Sequence, residues 1–128
     1  MTISRAERLT GYNIEILDIG NSAAGGRFTA TAYSGVDGKV FLRESASTRK
    51  KAIEMLVAAV YRKHCDLAFR KHKGRCAICS RKLRNGHWET DHIKKRSQGG
   101  THHVSNLRPV CSGDARSGCG FHRRRHGG

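Results

Sequence analysis

Proline is almost missing from this chain. Pro109 is the only one in 128 residues, which excludes long proline-rich linkers. No apolar run approaches the roughly 20 residues of a membrane-spanning helix, so no membrane partner is expected. The opening stretch MTISRAERLTGY lacks the apolar core of a secretory signal, so a cytoplasmic, reducing setting is expected. There is no internal repeat and no low-complexity tract. Acidic residues are scarce, 10 against 25 lysines and arginines, giving a net charge of +15 and a pI of about 10.4. A field of that sign recruits polyanions, and nucleic acid is the expected partner; a merely basic surface, as on ribosome-associated proteins, is the plainer alternative.

The charge is unevenly placed. Residues 1–69 carry a net of +3 and residues 70–128 a net of +12, and the second stretch also holds seven of eight histidines and four of five cysteines. The chemistry therefore belongs to the second half. In the first half, residues 1–10 read as a loose arm. Residues 12–19, 27–33 and 39–43 alternate as three short strands separated by glycine-containing turns at 21–26 and 35–38. Ser47 or Thr48 can cap a helix whose Ile53, Leu56, Val57 and Val60 form one apolar stripe, and which stops near Gly74. A unit so small buries little by itself.

Cys76-Ala-Ile-Cys79 lets two thiolates reach one metal, and Cys111 and Cys119 follow. Four thiolates make a closed tetrahedral site of the structural zinc type. A redox-active Cys-x-x-Cys is the alternative, but the βαβ pattern of thioredoxin-like chains is missing. Cys65, in the helical stretch, reads as a small buried apolar residue. Between the cysteine pairs lie Asp91-His92-Ile93, the loop Lys94-Lys95-Arg96-Ser97-Gln98-Gly99-Gly100, and Asn106-Leu107; after Cys119 come His122, Arg123, Arg124, Arg125 and His126.

That ordered set resembles the HNH endonuclease family, the ββα-metal nucleases, in its form stapled by four cysteines. The likeness covers about residues 74–126. It implies a hairpin whose first strand ends at Asp-His-Ile. It further implies Asp91 and His122 as ligands of a catalytic divalent ion, with His126 one helical turn on as a further ligand. His92 would be the general base and Asn106 the brace of the long loop. Magnesium or manganese is the expected ion, with zinc or nickel as alternatives. The sequence departs from the usual pattern in the long 112–118 gap and in the basic Lys94-Lys95-Arg96 where a proline is common. Lys94, Lys95, Arg96, Arg123, Arg124 and Arg125 would lie against DNA phosphates. His72, His87 and His102 read as solvent-exposed loop histidines and Trp88 as core; His103, closer to Asn106, could serve as a spare ligand.

The expected architecture is α+β: a three-stranded sheet plus helix over residues 1–72, then a zinc-bound ββα module over 73–128. The first unit resembles, in architecture only, small sheet domains that dock on DNA beside phage-type HNH nucleases. The expected activity is a metal-dependent endonuclease or nickase on double-stranded DNA, in the host cytoplasm if the chain is phage-encoded. A non-catalytic zinc-stapled nucleic-acid-binding module is the second reading. A secreted nuclease toxin is the third, disfavoured because no delivery domain is seen.

Overall fold

The computed structural model describes residues 1–20, 26–112 and 119. Its contacts divide into two compact units, Met1–Arg62 and Lys63–Gly128. The division falls within a continuous 23-residue helix, α2 (Arg49–Lys71).

The first unit opens with a helix, α1 (Ile3–Thr10), where the sequence suggests a loose arm. The reason is local capping plus the burial of Ala6, Leu9 and Thr10. Thr2 Oγ1 accepts a hydrogen bond from the Arg5 amide at 3.1 Å. Gly11 closes the helix in the left-handed region (φ 83°) and returns its amide to the Glu7 carbonyl. Ala6 and Leu9 enter the core, and the Glu7 carboxylate accepts from the Ile14 amide, tying the helix to the strand that follows it.

Strands β1 (Asn13–Asp18), β2 (Phe28–Tyr33) and β3 (Val40–Ala46) form an antiparallel sheet in the order β1-β2-β3. Central β2 explains the packing. Its inward residues, Ala30 and Ala32, are small and wholly buried, so helices can approach the sheet closely. They cluster with Ile14 of β1 and with Ala52, Ile53, Leu56, Val57 and Val60 of α2, which is the apolar stripe read from the sequence. Each large member contributes about 1.5–3 kcal/mol by leaving water. On the other phase, Thr29 bonds Ser45 at 2.9 Å and Thr31 Oγ1 accepts from Arg43. Thr48 caps α2 through the Lys51 amide.

The second unit takes up the end of α2. The helix unwinds through Lys73 and Gly74, both at positive φ, with the Gly74 amide on the Phe69 carbonyl. A knuckle follows at Cys76–Cys79, and then a two-stranded antiparallel hairpin, β4 (Trp88–His92) and β5 (Leu107–Cys111). Cys76, Leu83, Val110 and Cys111 form its small core, with Phe69 and Trp88 against it at 4.7 Å between ring centroids. Trp88 thus packs as core, as its position suggests. Cys65 is half-buried rather than buried. No helix among the described residues is long and apolar enough to cross a membrane.

Candidate functional site

The four cysteines come together. Their sulfurs all lie within 4.8 Å of one another, with Cys76–Cys119 at 3.8 Å and Cys79–Cys111 at 3.6 Å. A tetrahedron with zinc–sulfur bonds of about 2.3 Å has edges of about 3.8 Å, so this donor set could hold a zinc ion. The local fold prepares it. The Cys76 amide donates to the Arg81 carbonyl and the Ser80 amide to the Cys76 carbonyl, closing the knuckle, while the Ile78 amide donates to the Cys76 sulfur. Burial pushes the Cys76 thiol up, but amides of Cys79, Ile78 and Cys111 outweigh it and bring the group down to about 6. Cys111 is pushed up to about 12 by burial, then by hydrogen bonds to Cys79 and Cys76 and the charge of Cys76. Sulfurs so crowded cannot all ionise unaided; a dication would supply the missing positive charge.

The hairpin places the Asp-His pair. Asp91 pairs across the ladder with Arg108 and His92 with Leu107. Asp91 is wholly buried, and Arg108 Nε donates to its Oδ2 at 2.9 Å. The adjacent His92, on the opposite face of the strand, is half-buried.

Between the two strands, Asn106 fastens the loop that starts after His92. Its Oδ1 accepts from the Lys94 amide at 2.8 Å, and its Nδ2 donates to the Lys94 carbonyl at 3.1 Å and the Thr101 carbonyl at 2.8 Å. The Ile93 amide also reaches the Asn106 carbonyl. Gly99 adopts φ 86°, and a Cβ on Gly100 would fall on the carbonyl of Lys94, so both glycines are demanded by the backbone. Lys94 is exposed and Lys95 half-buried; Arg96, exposed, donates through Nη1 to the Gly100 carbonyl within the loop.

His102 departs from its expected place in solvent. It is half-buried, its Nδ1 lies 3.0 Å from His92 Nε2, and the two rings are 5.1 Å apart. Buried His64 donates from Nδ1 to the His102 carbonyl at 2.7 Å; a carbonyl only accepts, so that nitrogen carries the hydrogen. Burial lowers His102 to about 4, helped by the charges of His92, Arg96, His64 and His103. Burial also lowers His64; the bond to the His102 carbonyl opposes this and His103 adds to it. Of the other histidines, His87 is exposed, while His72 and His103 are half-buried.

A sequence signal for His64 existed. It lies four residues beyond Val60 and continues the apolar stripe of α2. For His102 the only signal was the histidine doublet one residue after Gly99-Gly100, in a loop that must return to the strand beside His92. His122, His126 and Arg123–Arg125 lie outside the described residues.

Residues 76–114 match the family described as HNH endonuclease. No curated protein and no solved structure matches the chain. The match is to an HNH endonuclease domain and is confined to that segment, and the four cysteines gathered around it are consistent with the zinc-stapled type. Such a domain suggests a nuclease or nucleic-acid-binding function.

Proposed function

We propose that the protein is a divalent-metal-dependent endonuclease or nickase of double-stranded DNA. His92 is the general base, and Asn106 holds the loop that frames it. Asp91, His122 and His126 are the ligands of the catalytic ion. The observation that carries this reading is the three-bond fastening of Asn106 to Lys94 and Thr101, inside the segment that matches the HNH family. It fixes both ends of the loop running from His92 and leaves the histidine on a defined frame.

Hydrolysis of a phosphodiester needs a proton taken from water, and a neutral imidazole does this near pH 7. Asp91 offers the oxygen donor that hard cations select. A divalent ion bound there supplies charge stabilisation at the phosphate. Lys94 and Lys95, with Arg96 and the Arg123–Arg125 run, bring positive charge to the DNA backbone.

One observation favours the second reading, a zinc-stapled binding module without catalysis: Asp91 is already engaged by Arg108. Conversion of supercoiled plasmid to nicked or linear DNA, with and without magnesium or manganese, separates the two. For His92→Ala we expect zinc content and DNA affinity near wild type and cleavage down by roughly 10²–10⁴-fold, the usual worth of a positioned base. Equal loss of binding and cleavage would make His92 structural.

A further inference from the structure

We infer that His102 is a positioning residue for His92: its Nδ1 accepts the Nε2–H of His92 and so fixes the tautomer whose basic lone pair is on Nδ1. The inference rests on the nuclease reading of His92. It starts from the 3.0 Å separation of the two ring nitrogens. Two bare lone pairs at that distance repel, and so do two N–H groups; the contact is favourable only with one proton between them.

The side chain of His102 is rooted where it cannot drift. Its own carbonyl accepts from buried His64 at 2.7 Å, and the carbonyl before it accepts from Asn106 Nδ2 at 2.8 Å. On the far side, the His103 amide donates to Thr101 Oγ1 and the His103 carbonyl accepts the Asn106 amide. The ring is thus held against His92 by backbone contacts on both flanks. Positive neighbours surround it: Arg96 and, when charged, His64, His92 and His103. These and its burial keep His102 in the neutral form that can accept.

The direction of the bond decides what His92 can do. With the proton on His102 Nδ1, His92 would carry its own hydrogen on Nδ1 and have Nε2 occupied as an acceptor; no nitrogen would remain to take a proton. With the proton on His92 Nε2, the lone pair is on His92 Nδ1. The proton lost by water then goes to Nδ1, and the imidazolium formed keeps its Nε2–H on a neutral acceptor. This is the outer-partner role that orients a working imidazole and sets its tautomer.

Two variants and one spectrum test it. Asparagine carries Oδ1 close to the place of histidine Nδ1 and can accept; leucine cannot. We expect His102→Leu to cut plasmid about 10–100-fold more slowly, the usual worth of such a partner, with zinc content, melting and DNA affinity near wild type. His102→Asn should recover most of that rate. In ¹⁵N-labelled wild-type protein, the proton should sit on His92 Nε2 with a scalar coupling to His102 Nδ1. A proton on His102 Nδ1, no coupling between the rings, or an asparagine variant as slow as the leucine one would overturn the assignment. If wild-type protein does not cut, the nuclease reading fails, and the spectrum alone still decides whether His102 sets the tautomer of His92.

Discussion

Met1–Arg62 buries Leu9, Ile14, Ile53, Leu56, Val57 and Val60 between two helices and a sheet. The core described in Lys63–Gly128 is smaller, and two of its buried members, Cys76 and Cys111, are also thiols of the cysteine cluster. One unit is held by a broad area removed from water; the other has a small apolar core beside four thiols that could hold a metal ion. The lesson is that the same short chain can support a sheet on alanine and leucine while its chemical half gathers four thiols whose ligation of one ion would act all at once, each bond comparable to one large buried side chain.

The comparison breaks most dramatically by removing metal. Structural zinc sites of this kind contribute on the order of 10 kcal/mol of apparent binding free energy at neutral pH. Purified protein should hold one tightly bound zinc. Chelation, or Cys76→Ser, should abolish the amide protection of β4 and β5 while the β1–β3 sheet keeps its own, read by hydrogen exchange. Equal protection in zinc-free and zinc-bound protein would sink the zinc assignment. The converse change is Leu56→Ala in the first unit. A wholly buried leucine in a close-packed cluster should cost about 2–5 kcal/mol in denaturant unfolding and leave zinc stoichiometry untouched; a cost under about 1 kcal/mol would mean the cluster is loosely packed.

The smallest effect sharpens the contrast by acidity. His64 and His102 are both lowered by burial, His102 to about 4. Their native state therefore favours the neutral ring, and the unfolded chain, titrating near 6.5, binds more protons. Stability from these groups is fully present above about pH 6.5 and is lost as pH falls toward 4. Thermal melting between pH 8 and 4 should show it as a difference between wild type and His102→Asn, which cancels any acid effect on the thiolates. Parallel curves would show that burial of His102 has no energetic consequence.

Much of this was readable in the sequence because the patterns are periodic or ordered. The alternation in 27–33 and the 53, 56, 57, 60 stripe specify which faces turn inward, so β2 and α2 follow from them. The helix α1 did not, because its three apolar residues, Ile3, Ala6 and Leu9, span only two turns, too short a stretch to stand out; its caps, Thr2 and Gly11, only become decisive once Ala6 and Leu9 find a core. In the site, ordered residue types marked the cysteine quartet, although the second pair is spaced by seven residues between Cys111 and Cys119. The contact of His102 with His92 was not legible. It depends on a loop path set by Gly99, Gly100 and Asn106, and tertiary geometry of that kind leaves no trace in the identity of a single loop histidine.

Trp88 is the only tryptophan of the chain. It stands opposite Cys111 in the ladder and leans on Phe69. The tryptophan emission of the whole molecule therefore originates at one point, a strand register away from a sulfur of the cluster. No label is needed to watch that corner: the colour and yield of a single indole read out, in real time and at low concentration, whether the sulfurs beside it are gathered or apart.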